Sequence, residues 1–226
     1  MTELRVDDEA AIVELRRALD VAGYTAEGIP QALGLDGPFA RETAEVPYYV
    51  RLLPPGEPIS ALARLFLLDF PVPRADAEAA LGVERAARLG LVEADGDEVR
   101  GLVDLVPREE LLVASDRFRD DRLPERPDHV YGPTPPTRAL ASLTVRRPVS
   151  SALDLGTGSG IQALLVAAHA ERVVGTDVNP RALRRLFKGR KGIDEMPFYG
   201  PVEQEAVYLL TPSRAVRLPT PPTMRN

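Results

Sequence analysis

One short segment constrains the fold of this chain more than any other, the glycine-rich stretch Gly156-Thr157-Gly158-Ser159-Gly160. An apolar strand, Val149 to Leu155, precedes it, and an apolar helical stretch, Ile161 to Ala170, follows it. A second apolar strand, Arg172 to Thr176, comes next and is followed directly by Asp177. The pattern predicts a β–α–β unit with a tight glycine turn between the first strand and the helix.

Glycines suit such a turn because the chain bends sharply there and because a ligand can approach the backbone where a Cβ would intrude. The start of the helix supplies free amide N–H groups. Asp177 follows Gly156 by 21 residues, where an acid accepts hydrogen bonds from the two hydroxyls of a ribose. Together these features predict a nucleoside-cofactor site. The alternative is a β–α–β unit whose glycines only allow tight packing.

The spacing of the glycines indicates which cofactor to expect. The dinucleotide fingerprint has its third glycine three residues after the second, and this chain has Ile161 there. The spacing here is Gly-x-Gly-x-Gly, with Asp154 two residues before it. S-adenosylmethionine has no pyrophosphate for the turn to hold. It does carry an ammonium group, which an acid at a strand end can bind.

The same residues resemble a known family. Segments 154–164 (DLGTGSGIQAL) and 176–183 (TDVNPRAL) are similar to motifs I and II of class I S-adenosylmethionine-dependent methyltransferases. More narrowly, they resemble the small methyltransferase group, which contains HemK-like glutamine N5-methyltransferases and ribosomal RNA guanine N2-methyltransferases. The resemblance covers roughly residues 10–186 and is most specific over 150–183.

The resemblance implies a site for S-adenosyl-L-methionine. Three glycines of the turn would bring their backbones close to the cofactor or let the helix begin beside it: Gly156, Gly158 and Gly160. Asp154 would help to hold the methionine ammonium through water. Asp177 would bind the ribose hydroxyls, and Val178 would pack on the adenine.

The family's catalytic signature, Asn/Asp-Pro-Pro-Tyr/Phe, does not occur in this sequence. In the family its polar side chain and backbone carbonyl hold the acceptor nitrogen in line with the methyl group. Thr220-Pro221-Pro222-Thr223 has the two prolines but lacks the amide or carboxylate and the aromatic ring, so the catalytic residues stay unassigned. Residues 148–226 are also fewer than the family's full core needs, which predicts an incomplete Rossmann-like core with a final hairpin over 205–210 and 215–218.

The segment that follows motif II is rich in positive charge. Asn179-Pro180 is interpreted as a helix cap with a first-turn proline. Beyond it, the family pattern is lost after about Phe187, and six basic side chains lie within residues 181–191. This run could contact phosphate, but a solvated helix face is the favoured interpretation.

Upstream of the glycine turn, residues 59–103 predict a different small fold. Three apolar helices, two of them closed by glycines, are followed by two strands around the turn Asp95-Gly96-Asp97. The predicted elements are helices over 59–68, 74–81 and 83–89 and strands over 91–94 and 98–103. This is the order of a winged helix.

A winged helix can bind nucleic acid through its third helix, but charge disfavours that function here. The third helix carries Glu84 beside Arg85 and Arg88. Residues 1–150 hold 18 basic and 27 acidic side chains, whereas residues 151–226 hold ten and seven. A packing or partner-recognition domain is therefore favoured over phosphate binding.

The remaining segments predict helices and connections. Helices are predicted over 9–22, in a short stretch after Pro30, and over 137–145 with Leu140 and Leu143 facing inward. A strand is predicted over 105–113. The connections are a proline-rich segment over 47–58 and an exposed charged loop over 116–128. Four parts follow from this: a helical segment 1–58, a winged-helix-like domain 59–115, a linker with an approach helix 116–147, and a methyltransferase domain 148–226.

Composition narrows the function classes further. The net charge is −6, there is no cysteine and there are two histidines, so a disulfide framework, a thiolate zinc site and a cysteine nucleophile are excluded and no metal site is predicted. The sequence has no apolar run long enough for a membrane helix and no apolar signal segment after Met1, so a cytoplasmic protein is expected.

The sequence therefore predicts an α/β protein, with a Rossmann-like methyltransferase core preceded by a mainly helical, winged-helix-like part. The resemblance implies N-methylation of a glutamine side chain or an RNA base, in a release-factor-like protein or ribosomal RNA. One alternative is a non-catalytic remnant that binds the cofactor or a partner. A weaker alternative is a winged-helix nucleic-acid binder.

Overall fold

The computed structural model describes residues 4, 8–37, 39, 45–108, 111–117, 128–182, 206–210 and 215–217. In these ranges the chain combines helices with small sheets, in agreement with the predicted α/β class. It divides into two compact units, residues 1–124 (unit 1) and residues 125–226 (unit 2). None of the described helices is both long and apolar enough to cross a membrane.

Unit 1 begins with three helices, α1 (Glu9–Val21), α2 (Gly28–Ala32) and α3 (Val46–Leu52). The helix predicted over 9–22 is confirmed, and its start is explained by Asp8, whose carboxylate accepts a hydrogen bond of 3.0 Å from the amide of Ala11.

The proline-rich connection predicted over 47–58 is wrong in its first half, because α3 forms there. Pro47 lies in the first turn of that helix, where an amide N–H would have no intrahelical acceptor. Tyr49 turns inward from α3 and packs edge-on against Phe39, with 5.4 Å between the ring centroids.

The helices and hairpin predicted over 59–103 are present. They are α4 (Pro58–Phe66), β1 (Val72–Pro73), α5 (Arg74–Leu81), α6 (Val83–Arg88), β2 (Val92–Asp95) and β3 (Glu98–Gly101). Strands β2 and β3 pair antiparallel, with Asp95 opposite Glu98, and Gly96 takes a φ of 58° in the two-residue turn between them. Strand β1 joins the other edge of β3, so the sheet order is β1-β3-β2.

Two further strands follow in unit 1, β4 (Asp104–Arg108) and β5 (Leu111–Ser115), paired antiparallel with Val106 opposite Val113. The single strand predicted over 105–113 is thus two strands. The core of unit 1 is one cluster of buried residues that extends from Leu4 through α1 and α4 to Leu105 and includes members on both sides of residue 58. The four parts taken from the sequence stay predictions.

A buried arginine ties the end of this unit to its middle. Arg117 lies in the segment predicted as an exposed loop over 116–128, yet only 7% of its surface is accessible. Its guanidinium donates to the carbonyl of Leu65 at 2.9 Å and to the carbonyl of Gly101, and it pairs with Asp69 at 2.9 Å. Because these partners lie far away in the sequence, the composition of the loop could not reveal that Arg117 is buried.

Unit 2 contains the predicted β–α–β unit. Its described elements are α7 (Pro135–Leu143), β6 (Ala152–Leu155), α8 (Ile161–Val166), β7 (Val173–Asp177), β8 (Ala206–Leu210) and β9 (Ala215–Arg217). Strands β6 and β7 run parallel, with Leu155 beside Thr176. Strand β8 pairs antiparallel with β7, and β9 pairs antiparallel with β8, so the final hairpin predicted from the sequence forms.

One prediction for α7 is wrong. Leu140 and Leu143, expected to face inward, are 56% and 80% exposed, and Ala141 is the buried residue of this helix. Both leucines remain on the surface of the described part of unit 2.

Candidate functional site

The structure brings the predicted site residues together at one end of the parallel strand pair. Asp154 lies on β6, the three glycines form the turn that follows it, and Asp177 ends β7. The amide of Gly158 donates a hydrogen bond of 2.7 Å to Oδ2 of Asp177. Val178 follows immediately.

The three glycines of the turn are required by their backbone conformation. Gly156, Gly158 and Gly160 have φ angles of 70°, 54° and 78°, in the region that other residues rarely adopt. Apart from its two neighbours in the chain, no atom of the described residues lies within 4 Å of the position that a Cβ would take at Gly156. The space next to this backbone is therefore open to a ligand.

Asp154 is partly buried. Its Oδ2 accepts hydrogen bonds from the hydroxyl of Thr157 at 2.7 Å and from the amide of Ala163 at 3.1 Å. Burial raises the pKa of Asp154 above its ordinary value, the charge of Asp177 adds to this increase, and the two hydrogen bonds oppose it. One of the helix-start amides expected to be free for a ligand, that of Ala163, is thus already bonded to Asp154.

Asp177 accepts two backbone hydrogen bonds. Besides the Gly158 amide on Oδ2, its Oδ1 accepts from the amide of Asn179 at 2.8 Å. Asn179 in turn accepts from the amide of Arg181 at 3.0 Å, which confirms its predicted role as a helix cap. Its side-chain amide donates to the carbonyl of Asp128 at 3.0 Å and so holds the segment after β7 against an earlier part of unit 2.

Apolar side chains near the site are exposed. Val178, the predicted adenine contact, is 85% exposed, which leaves its side chain accessible to a planar ligand. Leu153 and Leu155 on β6 are 60% and 74% exposed. They alternate with Asp154 along the strand, so they lie on the face of β6 opposite to Asp154.

Sequence reasoning missed one residue of the site, Thr157. It is 6% exposed although it lies in a surface turn, and its hydroxyl bonds to Asp154. A threonine between two glycines gave no signal, because its role depends on contacts with β7 that only the folded chain shows.

In α6, the third helix of the winged-helix-like part, one of the two arginines is bonded within unit 1. Arg85 of α6 donates to the carboxylate of Glu14 at 3.1 Å and to the carbonyl of Leu81 at 2.6 Å, so its guanidinium is already engaged. In the described part of the chain, no three histidine and acidic side chains are grouped as metal ligands. Thr220-Pro221-Pro222-Thr223 and the basic run after residue 182 lie outside the described residues.

Comparison with known protein families finds a match within unit 1. Residues 21–102 match a family model described as a domain of unknown function (DUF7059). The match extends from the end of α1 through the β2–β3 hairpin and does not include the glycine turn. No curated protein matches the chain.

Proposed function

We propose that this chain carries the cofactor-binding part of a class I S-adenosylmethionine-dependent methyltransferase of the small, HemK-like group, with its cofactor site in unit 2 and without that group's acceptor-holding signature. The observation that carries the proposal is that one glycine turn forms hydrogen bonds with two carboxylates, one on each of the parallel strands. Thr157 binds Asp154 of β6, and the next residue, Gly158, binds Asp177 of β7. The two acids are thereby held on either side of an open stretch of backbone.

The residues present fit the chemistry of this cofactor. Both hydrogen bonds to Asp154 use Oδ2, so Oδ1 is available among the described residues to accept from an ammonium, directly or through water. Asp177 can accept from two ribose hydroxyls in addition to its backbone donors, because each carboxylate oxygen has two lone pairs. Val178 offers an exposed apolar surface for the adenine ring.

The cofactor would supply a methyl group on a sulfonium, and the protein's task is mainly to position it. Transfer requires the acceptor nitrogen, the methyl carbon and the sulfur to be in line, and correct orientation can lower the barrier by about 7–11 kcal/mol. Asp154 and Asp177 would bind opposite ends of the cofactor and so would restrict its rotation. The acceptor would be a glutamine amide of a release-factor-like protein or a base of ribosomal RNA.

A second candidate is a module that binds the cofactor or a partner without transferring a methyl group. Two observations favour it. The Asn/Asp-Pro-Pro-Tyr/Phe signature is absent from the 226 residues, and Leu153 and Leu155 leave one face of β6 exposed. Without a group that holds the acceptor nitrogen, alignment and therefore the rate would be lost.

Transfer of a tritiated methyl group from S-adenosylmethionine to ribosomal particles and to release-factor-like peptides tests the proposal. For this chain we expect cofactor binding with little or no transfer, because the acceptor-holding signature is missing. Robust transfer that is lost in Asp154→Ala would show that another residue holds the acceptor. The absence of both binding and transfer would contradict the proposed function.

A further inference from the structure

Thr157 is the most constrained residue of the glycine turn. Its backbone amide donates to the carbonyl of Thr176 on β7 at 2.8 Å, and its carbonyl accepts from the amide of Gly160 at 2.7 Å. Its hydroxyl donates to Asp154 on β6 at 2.7 Å. One residue of the turn is thus bonded to both parallel strands.

The packing beneath Thr157 fixes its side chain. Gly175 on β7 lies directly below it, and a Cβ at position 175 would be 3.2 Å from Oγ1 of Thr157 and 3.4 Å from its Cβ. The first of these distances is tighter than ordinary van der Waals contact, and the second is at its lower limit. The glycine on β7 therefore provides the space that the threonine occupies.

The bond from Thr157 also determines how Asp154 is oriented. The hydroxyl and the amide of Ala163 both bind Oδ2, so the carboxylate is held by one oxygen from two directions. Among the described residues Oδ1 has no hydrogen-bond donor. The half-buried carboxylate thus presents one satisfied oxygen and one available oxygen.

We infer that Thr157 is a positioning residue whose hydroxyl orients Asp154 so that Oδ1 accepts from the ammonium of the ligand's amino acid part. The inference rests on the proposed function, since it takes the ligand to be an adenosyl amino acid. Thr157 acts through Asp154, so its effect is confined to the amino acid end. The nucleoside end, bound by Asp177, is held by a different hydrogen bond from the turn.

The two ends can be tested separately with two ligands. S-adenosylhomocysteine carries the amino acid part, and 5′-methylthioadenosine has the same nucleoside and a thioether but no ammonium. Thr157→Val removes the hydroxyl and keeps the shape that fits above Gly175, whereas Thr157→Ser keeps the hydroxyl. Thr144→Val makes the same chemical change at a partly exposed threonine at the end of α7, whose hydroxyl donates to the carbonyl of Leu140 at 2.7 Å.

Calorimetry of the full chain should show that Thr157→Val binds S-adenosylhomocysteine about tenfold more weakly, as expected for a lost hydrogen bond to a charged group. Its affinity for 5′-methylthioadenosine should change less than about twofold. Thr157→Ser should restore the affinity for S-adenosylhomocysteine, and Thr144→Val should match the unchanged chain for both ligands. Circular dichroism checks that each variant folds. If valine is not accommodated at position 157, Thr157→Ala makes the same comparison.

Equal weakening for both ligands in the valine and alanine variants would overturn the inference, because it would show a general effect on the turn. Unchanged binding of both ligands would overturn it as well. If the unchanged chain binds neither ligand, the proposed function fails and the positioning role fails with it. If the unchanged chain binds both ligands, but the Thr157 variants do not weaken S-adenosylhomocysteine binding more than 5′-methylthioadenosine binding, the inference alone fails.

Discussion

The amide of Gly158 and Oδ2 of Asp177 are joined by a hydrogen bond of 2.7 Å, which connects the glycine turn to the second parallel strand. The acid that would bind a ribose therefore also holds the backbone that would lie beside it. This dual role predicts that a change at Asp177 affects both ligand affinity and the conformation of the turn.

Replacing Asp177 with alanine should weaken binding of S-adenosylhomocysteine by roughly 1.5–3 kcal/mol, the range for hydrogen bonds to a charged group. Isothermal titration calorimetry measures this directly. Asp20→Ala is the matched control, because Asp20 is an exposed aspartate of α1 that pairs only locally with Arg16. An unchanged affinity in Asp177→Ala would show that the nucleoside is not bound at the end of β7.

Asp154→Asn should raise the melting temperature at pH 7 while weakening S-adenosylhomocysteine binding. Burial, with the charge of Asp177, raises the pKa of Asp154 in the folded chain above its value in the unfolded chain. The folded chain therefore binds this proton more tightly, and the contribution of Asp154 to stability decreases as the pH rises from the unfolded value through the folded one. Asparagine carries no charge to desolvate, and its single carbonyl oxygen can accept both existing hydrogen bonds.

Thermal unfolding of Asp154→Asn and of the original chain between pH 4 and pH 8 measures whether the substitution raises or lowers the melting temperature. The melting temperature of Asp154→Asn should exceed that of the original chain at neutral pH, and this difference should become smaller on acidification. A lower melting temperature for Asp154→Asn at pH 7 would show that the charged carboxylate stabilises the fold.

The exposed face of β6 predicts tolerance to polar substitution. Leu153→Thr with Leu155→Thr should change the free energy of unfolding by about 0.5 kcal/mol or less and should reduce aggregation, since threonine suits a strand and removes exposed apolar surface. Leu62→Ala in the core of unit 1 provides the contrast, with an expected loss of about 2–5 kcal/mol. A comparable loss in the double variant would show that the β6 leucines are covered.

Arg117 should be essential to the stability of unit 1. Arg117→Met leaves the carbonyls of Leu65 and Gly101 without their buried donor and should cost about 3 kcal/mol or more. Arg117→Lys should not restore stability, because one ammonium lacks the planar fork that reaches several acceptors. Arg100→Met at an exposed ion pair should cost about 0.5 kcal/mol or less in the same urea titration, and equal losses at both arginines would contradict this role.

The features that the sequence predicted well are those encoded locally. The glycine turn, its flanking strands and Asp177 were found from spacing alone, since positive φ angles select glycine and strand ends place the acid. The β2–β3 hairpin was found for the same reason, from Gly96 between two short apolar strands.

The features that the sequence did not predict depend on distant contacts. Arg117 is buried by carbonyls that belong to α4 and β3, and no pattern within its own charged segment indicates this. The role of Thr157 depends on its packing against Gly175 of β7, which the sequence around Thr157 does not indicate. Leu140 and Leu143 follow a helical pattern that predicts burial, but Ala141 is the buried residue of this helix.

The identity of the ligand at the glycine turn is the central claim, and competitive calorimetry with purified protein tests it most directly. The chain should bind S-adenosylhomocysteine more tightly than NAD, because Asp154 precedes the turn and Ile161 occupies the position of the dinucleotide glycine. Asp177→Ala should weaken this binding in the same experiment. Tighter binding of NAD than of S-adenosylhomocysteine would contradict the account.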